Sequence, residues 1–194
     1  MKHLFVSLLF TMSVMTISSF ANAQENDAPV ADRDPVLVFN RLCYAQVPVI
    51  DNIRELSSQM AWKPMGGDDL EQFTTLENPD VIEGWDVKIA QKLYRLGVVQ
   101  SKPGETFSNT FPDFKDGLAT SCTLILDGGD EADVILSRMN KLARKEPNSS
   151  NVDDGTLLTT TWSGGNEDFK VFLIMKADKF NKANLLNVTI LSKE

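Results

Sequence analysis

The chain has 194 residues, a formal net charge of −8, two cysteines and one histidine, His3. His3 lies in a segment that reads as a removable leader. Without residues 1–23, 171 residues remain, with 27 acids against 18 bases (Lys2 leaves with the leader), a net charge of −9 and no imidazole. This excludes Ser-His-Asp and Cys-His catalysis and histidine metal sites, and an acidic chain with no basic tract does not suit nucleic acid.

Met1-Lys2-His3, an apolar run over 4–20 and Ala21-Asn22-Ala23 are the basic, hydrophobic and small-residue parts that signal peptidase reads. Cleavage is expected between Ala23 and Gln24. The apolar run contains six Ser or Thr residues and falls short of the roughly 20 strongly apolar residues of a membrane span, so a cleaved leader is favoured over an anchor. No later stretch is apolar enough to span a bilayer. A soluble bacterial protein, periplasmic or secreted, is expected, with a flexible lead-in over 24–33 and one domain over 34–194. In an oxidising compartment Cys43 and Cys122 have one possible pairing. The bridge closes a loop of about 80 residues and stabilises by roughly 4–5 kcal/mol on the chain-entropy model. A redox-active thiol would need a C-x-x-C spacing or a histidine, and neither is present.

Asp34-Pro35 is a helix start, a capping acceptor followed by proline in the first turn. The following segment places Phe39, Leu42 and Cys43 on one side. From Pro48, the spacing of Val49, Ile53, Leu56 and Met60 predicts an amphipathic helix with Asp51, Asn52, Arg54 and Glu55 outward. Two short helices, or one kinked at Pro48, should cover 35–61. Residues 63–84 read as a long loop, with room for a short helical turn. Residues 85–100 fit strand or helix, with strand favoured for the second half. Residues 101–117 read as loop and 118–126 as the clearest strand. Asp130 is placed to cap a helix whose buried stripe is Ala132, Ile135, Leu136, Met139, Leu142 and Ala143. A loop follows, then three strands over 157–162, 169–176 and 186–192, the first two turning at 163–166. The order predicts an α+β domain, an N-terminal helix pair and one later helix packed on an antiparallel sheet that ends in a three-strand meander. No internal repeat is visible.

No serine lies in a G-x-S-x-G elbow or an S-x-x-K arrangement, and the three Gly-Gly pairs lack phosphate-loop spacing. Catalytic residues, cofactors and metal ligands are therefore not assigned. Calcium could use the acidic turns at Asp68-Asp69, Asp127–Asp133 or Asp153-Asp154, but none follows the EF-hand pattern. One region is distinctive: residues 66–86 hold seven acids (Asp68, Asp69, Glu71, Glu77, Asp80, Glu83 and Asp86) and no Lys or Arg, with Trp62 and Trp85 at the ends. Trp162 sits similarly, beside a Gly-Gly turn. Two readings stand: a solvated negative loop whose tryptophans belong to the core, or a surface for a cationic partner.

Phe39-Asn40-Arg41-Leu42-Cys43 followed by Pro48, with a second cysteine in Thr120-Ser121-Cys122-Thr123-Leu124, resembles a group of uncharacterised secreted proteobacterial proteins that carry an F-x-x-x-C helix after a signal peptide. The resemblance spans about 35–127 and implies a one-disulfide helix-and-sheet domain in the periplasm or outside the cell. It implies no activity. The functional expectation is a non-enzymatic binding or inhibitor-like module for a basic protein or peptide. The alternatives are an envelope structural or assembly component, and a carboxylate-dependent hydrolase of cell-wall glycan.

Overall fold

The computed structural model describes residues 34–193. The leader, the Ala23–Gln24 cleavage point and the lead-in lie outside the described residues. Asp34 caps α1 (Pro35–Phe39) through its Oδ1, which accepts a hydrogen bond from Val36 N at 3.0 Å. α1 runs directly into a π-helical turn, Asn40–Tyr44, and Phe39, Leu42 and Cys43 all point into the core. The chain then reverses through a cis Val47–Pro48 bond into α2 (Ile50–Gln59). Two helices therefore form rather than one. The buried face of α2 is Ile50, Ile53 and Ser57, with Leu56 half-buried. Val49 and Met60, expected on that face, are 51% and 52% exposed because they occupy the caps, where the helical turn no longer aims them inward.

The remaining chain builds one antiparallel sheet of eight strands: β1 (Lys63–Pro64), β2 (Val81–Ile89), β3 (Lys92–Ser101), β4 (Leu118–Ile125), β5 (Ser149–Asp153), β6 (Leu158–Gly165), β7 (Phe169–Ala177) and β8 (Ala183–Ser192). Their spatial order is β1-β2-β3-β4-β8-β7-β6-β5. The fold class is thus mixed helix and strand as expected, with a larger sheet. The order also exposes a doubling. Each half is a helical segment followed by a four-strand meander, and the halves meet at β4 and β8, where Cys122 pairs with Val188 and Ser121 with Thr189. The backbone repeats although the side chains do not.

Several elements differ from the sequence reading. The expected loop over 63–84 holds β1 at its start and the first four residues of β2 at its end, the two strands pairing through Lys63–Asp86 and Pro64–Trp85. β2 and β3 form a full hairpin turning at Ala90-Gln91, so both halves of the ambiguous 85–100 stretch are extended. Ala90 takes the positive φ (54°) that glycine or asparagine usually supplies, which hides the turn from residue preferences. The expected loop 101–117 contains α3 (Glu105–Thr110), and the loop after the last helix contains the polar edge strand β5. That last helix, α4 (Ala132–Ala143), buries Ala132, Ile135 and Met139 as expected. Its cap is not Asp130, whose carboxylate instead accepts two bonds from Lys92 Nζ, at 2.8 and 2.9 Å.

The sheet has two differently dressed faces, because alternate residues of each strand point to opposite sides. The inner face carries Leu96, Val98, Leu124, Leu173, Leu186 and Val188 against α1, α2 and α4, and forms the main core. The Cys43–Cys122 disulfide (Cα–Cα 5.4 Å) ties the π turn to β4 within that core. On the outer face a smaller cluster of Phe73, Leu76, Val99, Phe114, Ala119 and Leu191 lies over β3, β4 and the neighbouring β8. Beside it the β4–β8 seam buries a polar network. Asn187 Nδ2 donates to Ser121 Oγ and Thr123 Oγ1, both at 2.8 Å, and its Oδ1 accepts from Thr189 at 3.2 Å.

Candidate functional site

The first part of the acidic region is a 3-10 helix, Gly67–Phe73, rather than an open loop. Three residues per turn eclipse positions i and i+3. Leu70 and Phe73 therefore share one edge, Asp68 and Glu71 a second, and Asp69 and Gln72 a third. The apolar edge is seated on the outer face of β2 and β3. Gly84 and Gly97 are directly paired across those strands, and their missing side chains form the slot that takes the Phe73 ring. A Cβ at Gly97 would stand 2.1 Å from that ring; one at Gly84 would stand 2.8 Å from it and 3.0 Å from Leu70. Phe73 is fully buried. Arg95, one step along the same face of β3, donates to Gln72 Oε1 at 3.0 Å and secures the third edge.

With Leu70 and Phe73 fixed inward, Asp68, Asp69 and Glu71 stand exposed. Asp68 and Asp69 lie in the first turn, where unsatisfied N–H groups favour negative charge. None of the three carboxylates makes an ion pair among the described residues. Three of the other acids are committed elsewhere. Glu83 takes Arg54 in a forked pair, with Nη2 to Oε1 at 2.6 Å. Asp86 lies 3.9 Å from Lys63 Nζ. Glu77 accepts from Glu105 N at 3.0 Å and from Thr106 Oγ1, closing the start of α3. Asp80 stays exposed.

The tryptophans divide differently from the acids. Trp85 (7% exposed) and Trp162 (2%) belong to the inner core, and half-buried Trp62 packs against it from the chain just before β1. They do not flank a groove with Asp68, Asp69 and Glu71, which lie across the sheet. The core alternative for these rings is the one realised. Residues missed in the sequence are those that seat the helix: Leu70, Phe73, Gly84 and Gly97. Their signal was the apolar period of three within an acidic stretch, and a glycine in each of two strands that face one another.

No family model matches the chain, and no curated protein or solved structure matches it either.

Among the described residues, no group of three or more acidic or cysteine side chains converges as metal ligands do, and no helix is long and apolar enough to cross a membrane. The acidic turns at Asp127 and Asp153-Asp154 hold their own backbone. Asp154 accepts from Leu157 N at 2.7 Å, Thr156 N at 3.0 Å and Lys176 Nζ at 3.2 Å, and these bonds hold its pKa down at about 2. Gly155 N and Lys179 likewise lower Asp153.

Proposed function

We propose that the protein is an exported, non-catalytic binding module, and that the 3-10 helix carrying Asp68, Asp69 and Glu71 is its contact for a cationic protein or peptide. The observation that carries this reading is the division among the acids of the region. Glu77, Glu83 and Asp86 are spent on the protein's own contacts, whereas three neighbours on a rigidly seated turn have no counter-charge among the described residues. Fixed like charges in one place form a local negative field that a Lys- or Arg-rich partner relieves, and a net charge of −9 after leader removal steers such a partner inward. Trp62, Trp85 and Trp162 take no part in this surface.

The test compares two triple variants of equal charge. Asp68→Asn/Asp69→Asn/Glu71→Gln removes the site; Asp116→Asn/Glu131→Gln/Glu167→Gln removes three exposed acids elsewhere. Binding of a fluorescent Lys/Arg peptide is read by anisotropy. Exposed charge contacts are each worth about 0.2–1 kcal/mol, so the first variant should bind roughly tenfold more weakly while the second stays near wild type. Equal losses in both would reduce the effect to net charge and sink the proposal.

A further inference from the structure

The inner face of the sheet is not fully roofed. The π turn ends at Tyr44, and α4 stops at Ala143, where Arg144 enters the left-handed region at φ 55°. The β6–β7 hairpin runs on past both. Of its inner-face residues, Trp162 and the paired Leu173 stay buried at the edge of the helix layer, whereas Gly164, paired with Val171, lies beyond it, with Phe169 at the far end. Together with Tyr44 they line a concavity of about 350 Å³. That is within the range of small-molecule sites.

Two features distinguish it from an unfilled gap between elements. The first is Gly164. It alternates with Trp162 on the inner face, it has no positive φ, and a Cβ built on it meets nothing within 4 Å. Neither turn geometry nor crowding requires glycine here, yet its absent side chain keeps the floor of the concavity open. The second is the polar edge. Trp162 is held in one orientation, its Nε1 donating to Asn140 Oδ1 at 3.0 Å while Asn140 Nδ2 donates to Glu146 at 2.7 Å. Lys145 stands at the rim with its Nζ anchored to Ser163 O at 2.7 Å. It makes no ion pair among the described residues, and its ammonium has further donors to offer.

We propose that this concavity binds a small organic anion with an apolar body. The body lies against Tyr44, Val171 and Phe169 over Gly164, and the charged end meets Lys145 Nζ. This site is independent of the cationic-partner surface: it lies on the opposite face of the sheet and selects the opposite charge.

Two probes with the same rings separate the contributions: anilinonaphthalene sulfonate, which is anionic, and phenylnaphthylamine, which is neutral. Wild-type protein should bind both, with fluorescence enhancement. Gly164→Leu, which fills the floor, should weaken both by roughly tenfold while leaving the melting temperature in place. Lys145→Gln should weaken the anionic probe by a similar factor and leave the neutral one unchanged. If Gly164→Leu fails to fold, Gly164→Ala must weaken both probes in the same direction. Absence of binding to wild type, or wild-type affinities in the glycine variants, would overturn the site. Equal response of both probes to Lys145→Gln would overturn the choice of an anion.

Discussion

Gly97 lies directly beneath the ring of Phe73, so close that a single added methyl would stand 2.1 Å from it. The contact joins a β3 residue in the middle of the sheet to the last residue of the acidic 3-10 helix, and it makes the position of Asp68, Asp69 and Glu71 a consequence of core packing. Phe73→Ala should lower stability by about 3–5 kcal/mol, the usual cost of emptying an aromatic site. Gly97→Ala should cost about 1–3 kcal/mol or more by overpacking, since the atoms it meets belong to a ring held on all sides. Urea denaturation of both variants checks this. Wild-type stability in Gly97→Ala would mean the slot is looser than described.

The disulfide is the second fixed point. Cys43 and Cys122 are 79 residues apart and bind the π turn to the sheet's central strand. Replacing both by serine, or reducing the wild type, should lower stability by about 2–5 kcal/mol. Melting curves with and without reductant decide it, and coincident curves would contradict the bridge.

Tyr94 offers a pH-dependent signal. Its hydroxyl is buried and finds no partner among the described residues. Burial first, and then the charges of Asp130, Asp127 and Asp34, push its pKa up to about 12. The folded protein therefore keeps a proton that the unfolded chain releases near pH 10. Stability from this group is complete below pH 10 and is lost as pH rises towards 12. Phenolate absorbance should show one of the two tyrosines ionising only near pH 12 or on unfolding. Tyr94→Phe should remove that step and, by deleting an unsatisfied hydroxyl, add about 1 kcal/mol at neutral pH.

Asn187 organises the outer seam. Replacing it with alanine takes from the Thr123 hydroxyl the donor it accepts from and leaves Ser121 to Thr75 and Thr189, at a cost of about 1–3 kcal/mol in chemical denaturation. Thr189→Val, which removes a donor at the edge of the network, should cost less. The Asn187-Val-Thr sequence has the form of a glycosylation acceptor, but the buried amide is closed to modification.

What could be read in advance followed from local chemistry. The Asp34-Pro35 cap, the buried stripe of α4 and the apolar run of β4 each declare themselves within a few residues, and the cysteine pair had one solution. The doubled meander did not, because it is carried by strand order and not by repeated residues. The Ala90-Gln91 turn lacks turn-forming residues, and β5 is a polar edge strand that pairs with β6 alone among the described residues. Phe107 of α3 and Phe111 at its C-terminal cap meet Phe172 of β7 as tilted rings, with centroids 5.6 Å apart, a contact more than 60 residues away in sequence. The acidic region was visible as composition. Its division into structural and unpaired acids depends on Arg54, Lys63 and Glu105, which lie outside it.

The most direct measurement is a backbone amide chemical-shift map of the isotope-labelled protein titrated with a Lys/Arg-rich peptide. The account predicts that the largest changes fall on residues 67–73 and on neighbouring Arg95, that they fade with added salt, and that they vanish in the Asp68→Asn/Asp69→Asn/Glu71→Gln variant. Changes spread evenly over the acidic surface, or centred on the β5–β7 half of the sheet, would contradict it.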